Sequence, residues 1–166
     1  MISFGQDGKR FNLRAAAVFI EGDRVLLHRA EYEDFWSLPG GRVEMLEPAA
    51  EGLRREMREE LGVDVSVGRL IWVAENFFAF QCDAYHEIGL YFLAHLPESS
   101  PLLTRRGEFH GFEDNGVQIR FRWFPLDSLP SLPVNPSFLI AGLTDLPEVT
   151  QHVIQRDQPV QGAAHG

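Results

Sequence analysis

A single cysteine, Cys82, stands among the 166 residues, so no intramolecular disulfide can form and a reducing compartment is the simpler setting. A lone thiol of this kind is expected in the core. Basic residues are also scarce: 15 Lys and Arg against 24 Asp and Glu leave a net charge of -9, which opposes stable binding to the phosphate backbone of nucleic acids. No apolar run approaches the roughly 18 residues of a membrane-spanning helix. The opening stretch has basic residues before an apolar run, but Arg14 interrupts that run and Glu21 closes it, which is a strand pattern rather than a targeting pattern. A cytoplasmic protein without a membrane partner is the expectation. An acidic protein can still bind small phosphates, provided a local cation reverses the field at the site.

Apolar residues make up 45% and charged residues 23%, an ordinary globular balance. No repeat or linker divides the chain, so one domain over residues 1–155 is expected, with a disordered tail over 156–166. Residues 13–20 and 25–29 are short apolar runs around Glu21, Gly22, Asp23 and Arg24, the pattern of a strand hairpin. In the following segment, EYEDFWSLPGGRVE, Pro39, Gly40 and Gly41 favour a loop. Residues 48–61 read as a helix, with Pro48 at its start, an apolar stripe of Leu53, Met57 and Leu61, and Gly62 just past its end. Residues 69–80 and 85–96 read as two long strands joined through Gln81, Cys82, Asp83 and Ala84. The polar segment 97–116 is long enough to suggest a cover over a site. A strand over 117–124 and a short helix over 137–143 complete the pattern.

Glu56, Glu59 and Glu60 lie at i, i+3 and i+4 and therefore project from one helical face. Like charges at that spacing each cost roughly 0.2–0.5 kcal/mol, and in the last turn the helix dipole disfavours anions further. The face needs a cation. Arg55 and Arg58 can supply part of it, and the plain alternative is a solvated helix with ion pairs such as Glu51 to Arg55. Magnesium, which takes a few carboxylate oxygens, water and substrate phosphates, suits the same ligand set.

The spacing is more specific than the charge. From Gly41 the chain runs five residues to Glu47, seven to Arg55 and Glu56, then Met57, one residue, Glu59 and Glu60, one residue, Gly62 and Val63. With background frequencies of about 5–7% per residue type, such a match arises by chance on the order of once in a billion starts. It resembles the Nudix box at every defined position. The resemblance implies an α+β Nudix fold, an α/β/α sandwich with a curved mixed sheet between helices. It also implies a hydrolase that cleaves a phosphoanhydride bond in a nucleoside diphosphate linked to another moiety, with Mg2+ as cofactor and Mn2+ as a substitute. By the same resemblance Glu56, Glu59 and Glu60, helped by the Gly41 carbonyl, hold the metal, while Arg55 orients the glutamates and Glu47 joins that network. Glu56, Glu59 and Arg55 are then the catalytic set, and the base is Glu59 or a late carboxylate, Glu108 or Glu113. The family usually has a serine or threonine after the early glutamate; Pro48 replaces it, so Glu47 is expected to cap. Gly52, where alanine is usual, is expected to allow close approach to the sheet.

Arg29, by its matching position, is a candidate contact to substrate phosphate, and Glu75 and Glu87, in ENFFAFQCDAYHEIGLYFLA, are further substrate-binding candidates. His86 is a polar neighbour of these, and His28, His95 and His110 show no ligand spacing. Trp36 is expected to pack beneath the loop, and Phe77, Phe78 and Phe80 to belong to the core. A homodimer is expected on base rates alone. The competing readings are a nucleotide or ADP-ribose sensor, disfavoured by the intact glutamates, and a prenyl diphosphate isomerase.

Overall fold

The structure, a computed structural model, describes residues 1–113 and 115–157. Its strands are β1 (Ser3–Gln6), β2 (Lys9–Val18), β3 (Ile20–Glu21), β4 (Arg24–Ala30) and β5 (Gly40–Arg42), followed after helix α1 (Ala49–Leu61) by β6 (Ser66–Phe80), β7 (Asp83–His95), β8 (Phe109–Phe112) and β9 (Gln118–Pro125). A one-turn helix α2 (Leu139–Gly142) and strand β10 (Gln151–Arg156) end the described chain. One sheet runs β1-β2-β7-β6-β10, with β5 also paired to β2; it is mixed, because β2 and β7 are parallel, β6 and β7 antiparallel, and β6 and β10 parallel. The second sheet, β3-β4-β9-β8, is antiparallel.

Period-two alternation puts both faces of β2 to use. Ala15, Ala17 and Phe19 join Leu53 and Met57 of α1 in one apolar cluster, while Ala16 and Val18 join Leu139 and Leu143 around α2 in the other. Strand β4 divides the same way, with Leu26 on the α1 side and Val25 and Leu27 on the α2 side. This is the expected sandwich, with its second helix reduced to a single turn. Trp36 is buried in the α2 cluster with its ring 4.8 Å from that of Phe124, as a packing residue.

Several local expectations change. The first hairpin does not join residues 13–20 to 25–29: β2 ends at Val18 and pairs with β7 and β5, whereas only Ile20 and Glu21 pair back onto β4. The chain thus changes sheets at Phe19. Cys82 is exposed rather than buried, because it occupies the two-residue β6–β7 turn with Gln81, both at positive φ. The segment 97–116 is partly regular, with a 3₁₀ turn at Pro101–Thr104 and then β8. Strand β10 extends to Arg156, past the predicted start of the tail; residues 158–166 lie outside the described set.

Gly40 is where β5 crosses β2. A Cβ there would lie 2.1 Å from the Ala15 carbonyl oxygen and 2.7 Å from the Ala16 Cα, backbone atoms that cannot swing aside. Gly40→Ala is therefore expected to cost about 3 kcal/mol or more, at the severe end for single substitutions. Urea unfolding of the two proteins measures this, and a loss under about 1 kcal/mol would show that the crossing can relax.

Candidate active site

Helix α1 carries the charge, and its amphipathic spacing determines where each carboxylate goes. Leu53, Met57 and Glu60 follow one another at i, i+4 and i+7 on the buried stripe, so Glu60 occupies a position that would ordinarily be apolar. It is 8% exposed, and its Oε2 has no hydrogen-bond partner among the described residues. Burial, and then the neighbouring Glu56, push its carboxyl well above the ordinary 4.5. Burial raises Glu56 as well. Gly62, in the left-handed conformation, closes the helix by donating its N–H to the Arg58 carbonyl.

Arg55 binds the remaining carboxylates together. Its Nη2 donates to Glu47 Oε1 at 2.7 Å, and its Nη1 donates to Glu56 Oε1 at 2.7 Å and Glu59 Oε2 at 3.2 Å. Glu47 is held below the usual carboxylate range chiefly by that bond, and Arg55 above the usual arginine range by the same contact. Glu47 does not cap the helix: Pro48 is the N-cap residue, no side chain caps it, and Glu47 Oε1 accepts from the Glu44 N–H. Gly52 makes room for this carboxylate rather than for the sheet, since a Cβ would stand 2.7 Å from Glu47 Oε1. Glu51 pairs with Arg54, not with Arg55.

The helix faces a cavity of about 520 Å³, a size suited to a small organic ligand. Gly41, Arg55, Glu56, Glu59 and Glu60 line it. Gly41 lies so close that a Cβ would fall 2.2 Å from the Glu56 carboxyl carbon. Strand β8 reaches the helix end through Gly111, where a Cβ would meet the Glu60 carbonyl at 2.2 Å; Phe112 and Glu113 then line the cavity, and Glu108 does not.

The far wall holds residues that the sequence reading passed over. Arg14 donates to the Leu38 carbonyl at 3.0 Å and approaches the His28 ring nitrogen Nε2 at 3.4 Å. Burial opposes its charge, but Glu87, Tyr91, Glu60 and Glu33 outweigh that and hold it protonated. His28 is buried 3.9 Å from Glu60, and burial, followed by Arg14, lowers its pKa to about 3, so it is neutral at physiological pH. Of the three predicted substrate contacts, Glu87 alone lines the cavity. Arg29 alternates to the opposite face of β4 and lies over the Trp36 ring at 5.0 Å, off the cavity, whereas Arg14 lines it on the sheet side. Glu75 points away and meets His152 at 2.7 Å. His86 stacks on Phe77, 4.5 Å between centroids, outside the cavity. Phe78 and Phe80 line the cavity instead of joining the core, and Phe77 is partly exposed.

A family model described as the NUDIX domain matches residues 11–140. The chain belongs to this family. A Bacillus subtilis (strain 168) relative, YjhB, whose name assigns it provisionally to the ADP-ribose pyrophosphatases, is 32% identical over 70% of this Nudix chain and 50% of its own length. The human diphosphoinositol polyphosphate phosphohydrolase 3-alpha is 31% identical over 65% of this chain and 69% of its own. The Nudix chain therefore spans about half the length of the first of these relatives. Among solved structures, an ADP-ribose pyrophosphatase from Streptococcus suis 89-1591 shares the fold with a TM-score of 0.59 at 20% identity, covering 87% of this chain and 98% of that one. A MutT NUDIX hydrolase from Burkholderia pseudomallei gives 0.56 at 28% identity, covering 79% and 95%.

The residues present fit a divalent cation. Glu60 is a buried carboxylate whose Oε2 lacks a partner among the described residues, Glu56 is raised beside it, and the Gly41 backbone lies against Glu56. Among the described residues no three side chains already stand in ligating geometry, and the Arg55 contacts to Glu56 and Glu59 account for how those two are now held.

A carboxyl whose pKa is higher folded than unfolded contributes its full stability below the unfolded value and loses it as pH rises through the folded one. Metal-free protein is therefore expected to lose stability as pH climbs above 4.5, and Glu60→Gln to remove the part of that loss that Glu60 contributes. At pH 7.5 the variant should melt about 3–6 °C above wild type, equivalent to about 1–2 kcal/mol at this chain length, with the difference closing near pH 4. Thermal melts in chelator across that range test this, and parallel curves for the two proteins would contradict it.

Proposed function

We propose that this chain hydrolyses a phosphoanhydride bond in a nucleoside diphosphate linked to a further group. The observation that carries the reading is the buried Glu60 carboxylate beside Glu56 on the cavity wall, whose Oε2 has no hydrogen-bond partner among the described residues. Glu56, Glu59, Glu60 and the Gly41 carbonyl would hold the divalent ion, magnesium or in its place manganese. When bound, that ion supplies charge neutralisation at the diphosphate and a more acidic water.

The chain's own groups do the rest. Arg55 fixes Glu47, Glu56 and Glu59 relative to one another, so that the carboxylates need not reorganise during reaction. Arg14 is a permanent cation in the cavity, suited to a substrate phosphate oxygen. The proton released by the attacking water goes to Glu59, which is solvent-accessible, or to Glu113. Glu108 does not line the cavity, which favours Glu59 and Glu113 over it. A net charge of -9 favours a small substrate over a polynucleotide, and the name of the B. subtilis relative makes ADP-ribose the first compound to try.

The test is phosphate release, with added phosphatase, from ADP-ribose, nucleoside diphosphate sugars, dinucleoside polyphosphates and nucleoside triphosphates in magnesium. One compound class should be turned over, and Glu56→Gln should lower that turnover about a hundredfold or more. Equal turnover by wild type and variant would refute the assignment. Arg55→Ala, which frees three carboxylates without removing any, is expected to cost about 10- to 100-fold in activity or apparent metal affinity, read from a magnesium titration of the rate.

A further inference from the structure

Three neighbouring strands place a polar row across the cavity wall. Asn12 of β2, Glu87 of β7 and Asn76 of β6 are register partners in sequence, so they lie side by side on one face, with the outer two strands about 10 Å apart. All three are buried, at 2%, 7% and 6% exposure, and all three line the cavity. Asn12 Nδ2 donates to Glu87 Oε2 at 2.5 Å, and Asn76 flanks Glu87 in register from the other side. The Asn12 amide thereby turns its nitrogen toward Glu87. Both Asn12 Oδ1 and Asn76 Oδ1 are buried with no partner among the described residues. Two buried acceptors without donors are costly in a folded protein and cluster where a ligand completes them.

One register step toward the rim, Phe78 and Tyr85 stack with centroids 4.9 Å apart and 10° between planes, and both line the cavity. One step inward is Arg14, opposite Gly89. The wall thus runs from aromatic, to acceptor-rich, to cationic. A phosphate would meet oxygens on the middle row and the Glu87 charge, with Glu33 and Glu113 on the same cavity. A group bearing hydroxyl or N–H donors would meet acceptors that lack them.

We infer that Asn12, Glu87 and Asn76 form a recognition row for the uncharged, hydrogen-bond-donating nucleoside half of the substrate, and that this row excludes polyphosphorylated rings. The inference rests on the proposed function for the position of the diphosphate, between Arg14 and the α1 carboxylates. It divides the two kinds of relative by chemistry, since an inositol ring dense in phosphate has few donors to offer. Sites built to satisfy buried hydrogen bonds discriminate strongly against ligands that leave them unmade.

Calorimetric binding in magnesium tests it, because binding is read separately from turnover. ADP, GDP, CDP and UDP are titrated first, followed by inositol hexakisphosphate. The tightest nucleoside diphosphate is then compared with its 2′,3′-dideoxy form and its N-methylated base form, which separate ribose hydroxyls from the base N–H edge without altering the protein. At least one form should bind 10-fold or more weakly. Asn76→Ala, with folding checked by its melt, should lose about the same factor, and inositol hexakisphosphate should bind at least 10-fold more weakly than the best nucleotide. The inference is overturned if no nucleoside diphosphate binds, if both altered ligands bind as the parent does, or if inositol hexakisphosphate binds as tightly. Nucleotide binding with this pattern but no turnover of any compound would leave the row standing and remove the hydrolase reading.

Discussion

A carboxylate on the packing face of a helix is the constraint from which the rest of the site follows. Glu60 shares its stripe with Leu53 and Met57, so it cannot leave the interface without undocking α1 from the sheets. Around it, Gly41 gives up a side chain so that backbone can approach Glu56, and Gly111 does the same so that β8 can reach the helix end. Arg55 neutralises Glu47, Glu56 and Glu59 from the solvent side but makes no contact with Glu60. Among the α1 carboxylates, Glu60 is thus the one that Arg55 leaves without a hydrogen-bonded cation, and it is where a replaceable cation has the most to gain. A buried charge lacking a partner is strongly destabilising by itself, so retaining it is consistent with a site that trades metal-free stability for a cation-binding face.

The sheets set the distance over which that face acts. Because the chain changes sheets at Phe19, β2 carries Asn12 and Arg14 on the mixed sheet, while β4 carries His28 on the antiparallel one, and both converge on one cavity. A simple hairpin between β2 and β4 would have kept these residues within one sheet. The parallel pairing of β2 with β7 brings Asn12 beside Glu87, 75 positions later.

How much of this was legible in the sequence depended on range. The helix, its left-handed Gly62 and the carboxylate spacing are local, fixed by the 3.6-residue period, and were readable. The Arg55 network was readable through family resemblance. The facing of strand residues was not, because alternation says that Arg29 and His28 point opposite ways without saying which face meets the ligand; Arg29 proved to lie over Trp36 and His28 beside Glu60. Asn12 and Arg14, two polar residues on one strand face leading into an alanine run, were the signal for the far wall. Their meaning emerged only once β7 was beside them. Cys82 and the phenylalanines were misplaced for a related reason: hydrophobic character predicts burial, but a two-residue turn and a cavity rim take the same residue types.

An acidic cavity that takes an anionic ligand has to separate its charges in space. Among the cavity's side chains, positive charge is carried by Arg14, Arg42 and Arg55, while negative charge includes the α1 carboxylates, which suit a divalent ion, and Glu33, Glu87 and Glu113, which have no such helix face behind them, with Glu44 and Asp157 also on the lining. Burial raises both Glu33 and Glu87, so their environment does not favour their charge, and each is stabilised instead by hydrogen bonds, from the Ala30 N–H and from Asn12. Groups held in this way repel a phosphate and accept from a donor. On the proposed reading, the polarity of the cavity therefore gives the substrate a direction before any contact is counted, with its diphosphate toward α1 and its uncharged part toward β6 and β7. A second anionic group at that far end would have to displace Asn12 from Glu87 or protonate the carboxylate. Either change costs more than a surface contact returns, which makes the arrangement selective by exclusion as well as by fit.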